Sequence, residues 1–190
     1  MKFVSLCMLV ALAIGANCSY PSVCPKIVKR NQWGAKAPQE VDYVIIPVEY
    51  VVIHHTVTDT CSSEVSCSNI LSNIQNFHMN DLKFHDIGYN FAIGGDGAVY
   101  EGAGWHKIGA HTRGYNTKSM GIAFIGNYVD KAPSAKQLQA LKNFLACGVE
   151  LGELSNRYNL IGARQVGSTQ SPGLKLYQEI QKLPHFKKNP

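Results

Sequence analysis

The residues with the clearest capacity for chemistry sit at the end of a short apolar run. Val51-Val52-Ile53 is β-branched throughout, the pattern of a strand buried on both faces, and it breaks into His54-His55-Thr56 and then Thr58. A buried strand ending in imidazoles and hydroxyls delivers polar groups to a cleft, since such groups are costly inside an apolar layer. Side chains alternate along a strand, so His54 and His55 point to opposite faces and only one easily serves a given site. With seven histidines in the chain, a zinc site is the first chemistry to consider. A catalytic zinc needs three protein ligands and an open position. Neither HExxH nor another recognised histidine ligand spacing is present, so His54-His55 alone does not make a metal site.

The elements that must position these groups follow from pattern. Ile70, Leu71, Ile74 and Phe77 recur at helical spacing over Ser68–Leu82, with His78 at the edge of the stripe. Tyr89–Gly94 and Ala98–Glu101 flank Gly95-Asp96-Gly97, a hairpin signal. A glycine-punctuated loop over Gly102–Tyr115 carries Trp105, His106, His111 and Arg113. Met120–Ile125 reads as a second buried strand. Ser134–Gly152 reads as a helix opened by a Ser134/Gln137 capping box, with Leu138, Leu141, Leu145 and Val149 as its stripe. Asn159–Ala163 is a short strand and Leu174–Gln181 a last helix. Strands and helices interleave without repeats, which predicts one α/β domain: a central mixed β-sheet flanked by helices.

The start of the chain has the features of a leader. Lys2 is followed by an apolar Phe3–Ile14 run and small residues, too short to span a bilayer, which needs about 20 apolar residues. The expected division is a signal peptide over 1–18, an N-terminal arm over 19–42 and the folded domain over 43–190. Trp33 is expected to anchor the arm. Of six cysteines, cleavage after Cys18 leaves Cys24, Cys61, Cys67 and Cys147, an even number suited to an oxidising compartment. Cys61 and Cys67 close a short loop after the histidine strand and are expected to pair, leaving Cys24 with Cys147. The expected location is secreted and extracellular. The net charge of +5 is mild and scattered, and no nucleic-acid motif or later membrane span is present.

Six segments taken together carry a resemblance. YVVIHHT, FHMNDLKFHDIGYNF, GDGAVYEGAGW, IGAHT, GIAFIGNY and STQSPGLKLYQEI stand in the order and at the separations of the peptidoglycan recognition proteins. These share the fold of the phage-lysozyme-type zinc N-acetylmuramoyl-L-alanine amidases. The match runs over roughly residues 25–186 and looks most like the short secreted insect members that sense bacteria. Catalytic members of the family hold zinc with the first His of the pair, a His in a late GHRQV-like strand and a Cys in a CPG motif. Those positions are His54, Ala163 and Ser171 here, so the resemblance implies one ligand kept and two lost. A methyl donates nothing, and a neutral hydroxyl is a poor substitute for a thiolate. Tyr89 and Thr169 stand at the remaining catalytic positions. No metal or other cofactor is therefore expected.

The resemblance implies instead a non-catalytic innate-immune receptor for bacterial peptidoglycan, with His55, Thr56, His78, Tyr89 and His111 contacting a muropeptide and Trp105 and Phe84 offering apolar faces. Diaminopimelate-type readers tend to carry Gly-Trp before the DIGYNF-like motif and an Arg in the VYEGRGW segment; lysine-type readers tend to carry Asn-Phe and no Arg. This chain has Lys83-Phe84 and Ala103, a lean towards lysine-type peptidoglycan in which Lys83 fits neither pattern. A partner linking binding to an extracellular serine-protease cascade is also implied. Two enzymatic alternatives stay open. One is a residual zinc amidase with His55 or His111 as substitute ligand. The other is a weak metal-independent carboxypeptidase in which Ser171 is the nucleophile and His54 its base.

Overall fold

The computed structural model describes residues 24–190; the leader expected over 1–18 and the first residues of the arm lie outside the described residues. Six strands form one mixed sheet: β1 (Ile27–Val28), β2 (Val48–His55), β3 (Phe91–Ile93), β4 (Val99–Glu101), β5 (Ser119–Phe124) and β6 (Leu154–Gly162). Their order is β1-β4-β3-β5-β2-β6, with only β3 and β4 antiparallel. Helices α1 (Glu64–Asn80), α2 (Ala135–Glu150) and α3 (Leu174–Ile180) complete the α/β fold expected from the interleaved patterns.

The central position of β2 follows from its composition. Val51, Val52 and Ile53 are fully buried, as a parallel strand flanked on both edges and covered on both faces requires. One face packs Val51, Ile53, Ile122 and Phe124 with Leu141, Phe144 and Leu145 of α2 and Leu176 and Ile180 of α3. Leu71 and Ile74 of α1 pack with Trp33, Ile87, Ala92 and Tyr100 in a separate core cluster. Trp33 is therefore the anchor expected of it, and its Nε1 also donates to the Glu101 carbonyl at 2.8 Å. The arm is not wholly irregular, because Ile27 and Val28 add β1 to the edge beside β4.

Helix α1 begins a turn earlier than the apolar spacing suggests. Ser63 caps it in a reciprocal box with Ser66, which satisfies amides that would otherwise be orphaned. Its buried stripe is Leu71, Ile74, Gln75 and His78, so His78 stands on the buried face while Phe77, placed in the stripe by spacing, is 52% exposed. Helix α2 starts at the Ser134/Gln137 capping box as expected. The two disulfides are Cys61–Cys67 and Cys24–Cys147, the pairing expected from the short loop that Cys61 and Cys67 close and the two cysteines it leaves.

Candidate functional site

Strand β2 pairs with β5 through His54↔Ala123 and His55↔Phe124, whereas its pairing with β6 stops at Ile53↔Gly162. From Ala163 the chain turns out of the sheet in a short 3-10 helix, Ala163–Gln165. The departure of β6 opens a crevice at the carboxyl ends of parallel strands, the usual place for a site in such sheets. His54 and His55 alternate as a strand demands, yet both line this opening, of about 430 Å³, with Thr56, Tyr89, Thr169 and Ser171. The expectation that only one of the pair serves the site is corrected by that shared exit from the sheet.

Two further openings continue the crevice. One of about 240 Å³ shares His54 and Thr169 with the first and adds His111, Thr112, Arg113 and Ala163. Another of about 480 Å³ shares His111, Thr112 and Arg113 and runs to Phe84, Asn116 and Thr117. His54 Nε2 lies 3.1 Å from Thr112 Oγ1, which is also 3.0 Å from His111 Nδ1. The ring of His111 lies on Gly121, where a Cβ would stand 2.3 Å from its Cγ. Tyr89 sits between His54 and His78, with ring centroids 5.5 Å from each. His78 accepts from the Gly88 amide at Nδ1 (2.9 Å), and its ring is 5.4 Å from that of Phe84.

Apart from Arg113, the side chains that line the cleft are uncharged. Burial lowers the pKa of His54 well below the ordinary value, with His111 and His55 adding to the shift. Burial brings His111 to about 3. His55 and His78 are lowered for the same reason, with Arg164 adding to the effect on His55 and Asp86 opposing it on His78. Burial raises the Tyr89 phenol to about 12, so it stays protonated. Neutral imidazoles, hydroxyls and a phenol are hydrogen-bonding groups for uncharged amides and sugar hydroxyls.

Several expected contacts are relocated. Trp105 is 9% exposed and stacks on Phe144 in the main core, with Phe91 also at 4.6 Å, so it offers no face to the cleft. Ala103 is buried and borders a smaller cavity of about 120 Å³ beside Asp42, Asp86 and Lys107 rather than any of the three openings. Lys83 is exposed and its Nζ donates to the Asn80 carbonyl at 2.7 Å. No hydrogen bond joins His54 to Ser171. Ser171 Oγ instead accepts from the His55 amide at 3.1 Å, and the Ser171 amide donates to Thr169 Oγ1 at 3.1 Å.

The groups that fix the cleft wall include residues to which sequence reading gave no role. Asn90 is fully buried; its Nδ2 donates to the Gly104 and Lys107 carbonyls at 3.0 and 2.8 Å, and its Oδ1 accepts from the Gly121 amide at 2.9 Å. Asn116 Oδ1 accepts from the amides of His111 and Thr112 at 3.1 and 2.7 Å. Arg30, in the arm, pairs with Asp86 at 2.8 Å, and Asp86 in turn accepts from Gln75 and the Ile87 amide. The only sequence signal for Asn90 is an amide amid the apolar residues of YNFAIG.

The family model for N-acetylmuramoyl-L-alanine amidases of the Amidase_2 type matches residues 46–174. Peptidoglycan-recognition protein 2 of Holotrichia diomphalia is 57% identical over 167 residues, covering 88% of this chain and 89% of its own. The chain belongs to the peptidoglycan-recognition protein family. Among solved structures, Drosophila peptidoglycan recognition protein SA superposes with a TM-score of 0.86 at 58% identity, over 88% of this chain and 96% of that one. Peptidoglycan recognition protein LE, solved with tracheal cytotoxin, a monomeric diaminopimelic acid-type peptidoglycan, gives 0.84 at 44% identity over 85% and 95%.

Membership in an amidase family raises the question of zinc, and the side chains present do not fit one. The His54 imidazole is joined to Thr112, Ala163 presents a buried methyl, and the Ser171 hydroxyl already accepts from an amide. Among the described residues no three His, Cys, Asp or Glu side chains are grouped for a metal ion.

Proposed function

We propose that this protein is a secreted innate-immune receptor that binds a muropeptide of bacterial peptidoglycan along the His55–Tyr89–His111 cleft without zinc-dependent amidase chemistry. The observation that carries this reading is the pairing of a continuous, hydrogen-bonding cleft, with Arg113 as its one fixed charge, with a His54–Ala163–Ser171 corner whose side chains do not fit a metal. Relatives named for peptidoglycan recognition, one of them solved with a peptidoglycan fragment, support the ligand class. The contacts fall to His55, Thr56, His78, Phe84, Tyr89 and His111. Phe84, the member of the lysine-type pair that borders the cleft, favours a lysine-type stem. Two disulfides and the leader read from residues 1–18 support secretion. The receptor reading carries with it a partner leading to a serine-protease cascade.

The serine-hydrolase alternative is not favoured, because no hydrogen bond joins the Ser171 hydroxyl to His54, whose Nε2 lies against Thr112 instead. Insoluble lysine-type and diaminopimelate-type peptidoglycan, each incubated with the purified protein with and without chelator, tests the proposal. Retention on the lysine-type polymer is expected in both conditions, with no stem peptide released. Chelator-sensitive release would reinstate an amidase, and chelator-resistant release lost in Ser171→Ala would reinstate the hydrolase.

A further inference from the structure

The three openings of the cleft contain one side chain with a fixed charge, and it is a cation. Among the described residues neither Asp, Glu nor Lys lines any of them, and their other polar side chains are imidazoles, hydroxyls, amides and one phenol. Arg113 lines two of the three and stands where those two meet. The other arginines near the site are engaged: Arg30 with Asp86, Arg164 over the face of Tyr177. Among the described residues no hydrogen bond, ion pair or aromatic face holds the Arg113 guanidinium, which is exposed.

The turn that presents it is rigid. Asn116 Oδ1 holds the His111 and Thr112 amides, the amides of Tyr115 and Asn116 both return to the Thr112 carbonyl, and the His111 ring is seated on Gly121. A planar fork on a fixed backbone at the junction of two uncharged openings is suited to a carboxylate, which it can meet with two parallel hydrogen bonds. A peptidoglycan stem supplies such groups at its second residue when that is isoglutamate, at its C-terminus, and on a diaminopimelate third residue.

We infer that Arg113 is a specificity-determining residue that binds a free carboxylate of the stem peptide and so distinguishes acidic from amidated stems. This rests on the receptor reading above. Titration of lysine-type muramyl peptides tests it, using one fragment with isoglutamate and a free C-terminus, one with isoglutamine, one with a C-terminal amide, and a diaminopimelate fragment for the third source. For wild type, amidating the isoglutamate or the C-terminus is expected to weaken binding about threefold to tenfold, and the diaminopimelate fragment is expected to bind no better than its lysine counterpart. Arg113→Gln should erase that difference, and Arg113→Lys should keep part of it. Wild type that is indifferent to every carboxylate, or an Arg113→Gln protein that still discriminates, overturns the assignment while leaving the receptor reading intact. Failure of wild type to bind both the fragments and insoluble peptidoglycan overturns the receptor reading and this inference with it. Because the side chain is exposed and, among the described residues, makes no hydrogen bond or ion pair, Arg113→Gln should unfold at the wild-type temperature.

Discussion

The wall of the cleft and its Thr169–Ser171 corner are held by different means. In the wall, Asn90 ties Gly104, Lys107 and Gly121 together from a fully buried position, and Arg30 reaches from the arm to fix Asp86 ahead of Tyr89. In the corner, Ser171 and Thr169 are joined to amides by single hydroxyl contacts at 3.1 Å beside the solvent-lined opening. A wall built on buried amides keeps its shape whatever happens in the corner. A corner stitched by hydroxyls can change without disturbing that wall, because the two depend on different bonds.

The sharpest way to break that contrast is Asn90→Ala. It leaves one buried carbonyl, one half-buried carbonyl and one buried amide without partners, each costing about 1–3 kcal/mol. The expected loss is about 3–5 kcal/mol in denaturant unfolding, with muropeptide binding lost as the 102–107 and 109–112 segments shift. Ser171→Ala, its counterpart in the corner, orphans one amide and should cost only about 1 kcal/mol with binding retained. Similar losses in the two variants would show that wall and corner are one unit.

What could be read in the sequence divides along the same line. The α/β class, strand β2, the capping box of α2 and both disulfides follow from local signals: a β-branched run, a Ser-x-x-Gln spacing and cysteine spacing. The hydroxyl and imidazole positions follow from motifs in register. The wall does not, because Asn90 and Arg30 act on backbone groups far along the chain, and nothing local to YNF or to KRNQ announces them. Trp105 went astray for a related reason. A tryptophan after a glycine looks like a binding face, and only the placement of α2, whose Phe144 stacks on the ring beside Phe91, turns it into core.

A smaller effect comes from the neutral histidines. His111 is lowered to about 3 by burial and His54 is lowered as well, so the unfolded chain takes up protons at these positions before the folded one does. The stability they contribute is complete above about pH 6.5 and is lost as the pH falls towards 3. His111 alone should account for about 2–3 kcal/mol between pH 7 and pH 4. Urea midpoints across that range should fall steadily for wild type and fall less for His111→Gln. Parallel curves would mean that the ring is better hydrated than its seat on Gly121 implies.

The smallest effect concerns which of two neighbours reads the stem. The family pairs at positions 83–84, Gly-Trp and Asn-Phe, differ in both residues, so either could carry the preference. Here Lys83 has φ of 60°, the left-handed region that glycine enters freely and asparagine more readily than most residues. Gly and Asn at this position therefore answer to the backbone rather than to the ligand. The Lys83 ammonium donates to Asn80 and lines none of the cleft openings, whereas Phe84 borders the opening of about 480 Å³. Lys83→Gly relieves the backbone but frees the unfolded chain, and the two effects should nearly cancel, leaving stability within about 1 kcal/mol of wild type. Affinities for lysine-type and diaminopimelate-type fragments should both stay at their wild-type values. If Lys83→Gly instead weakens only the diaminopimelate fragment, the ammonium leaves Asn80 for the ligand carboxylate, and part of the discrimination moves from the wall to this flexible side chain.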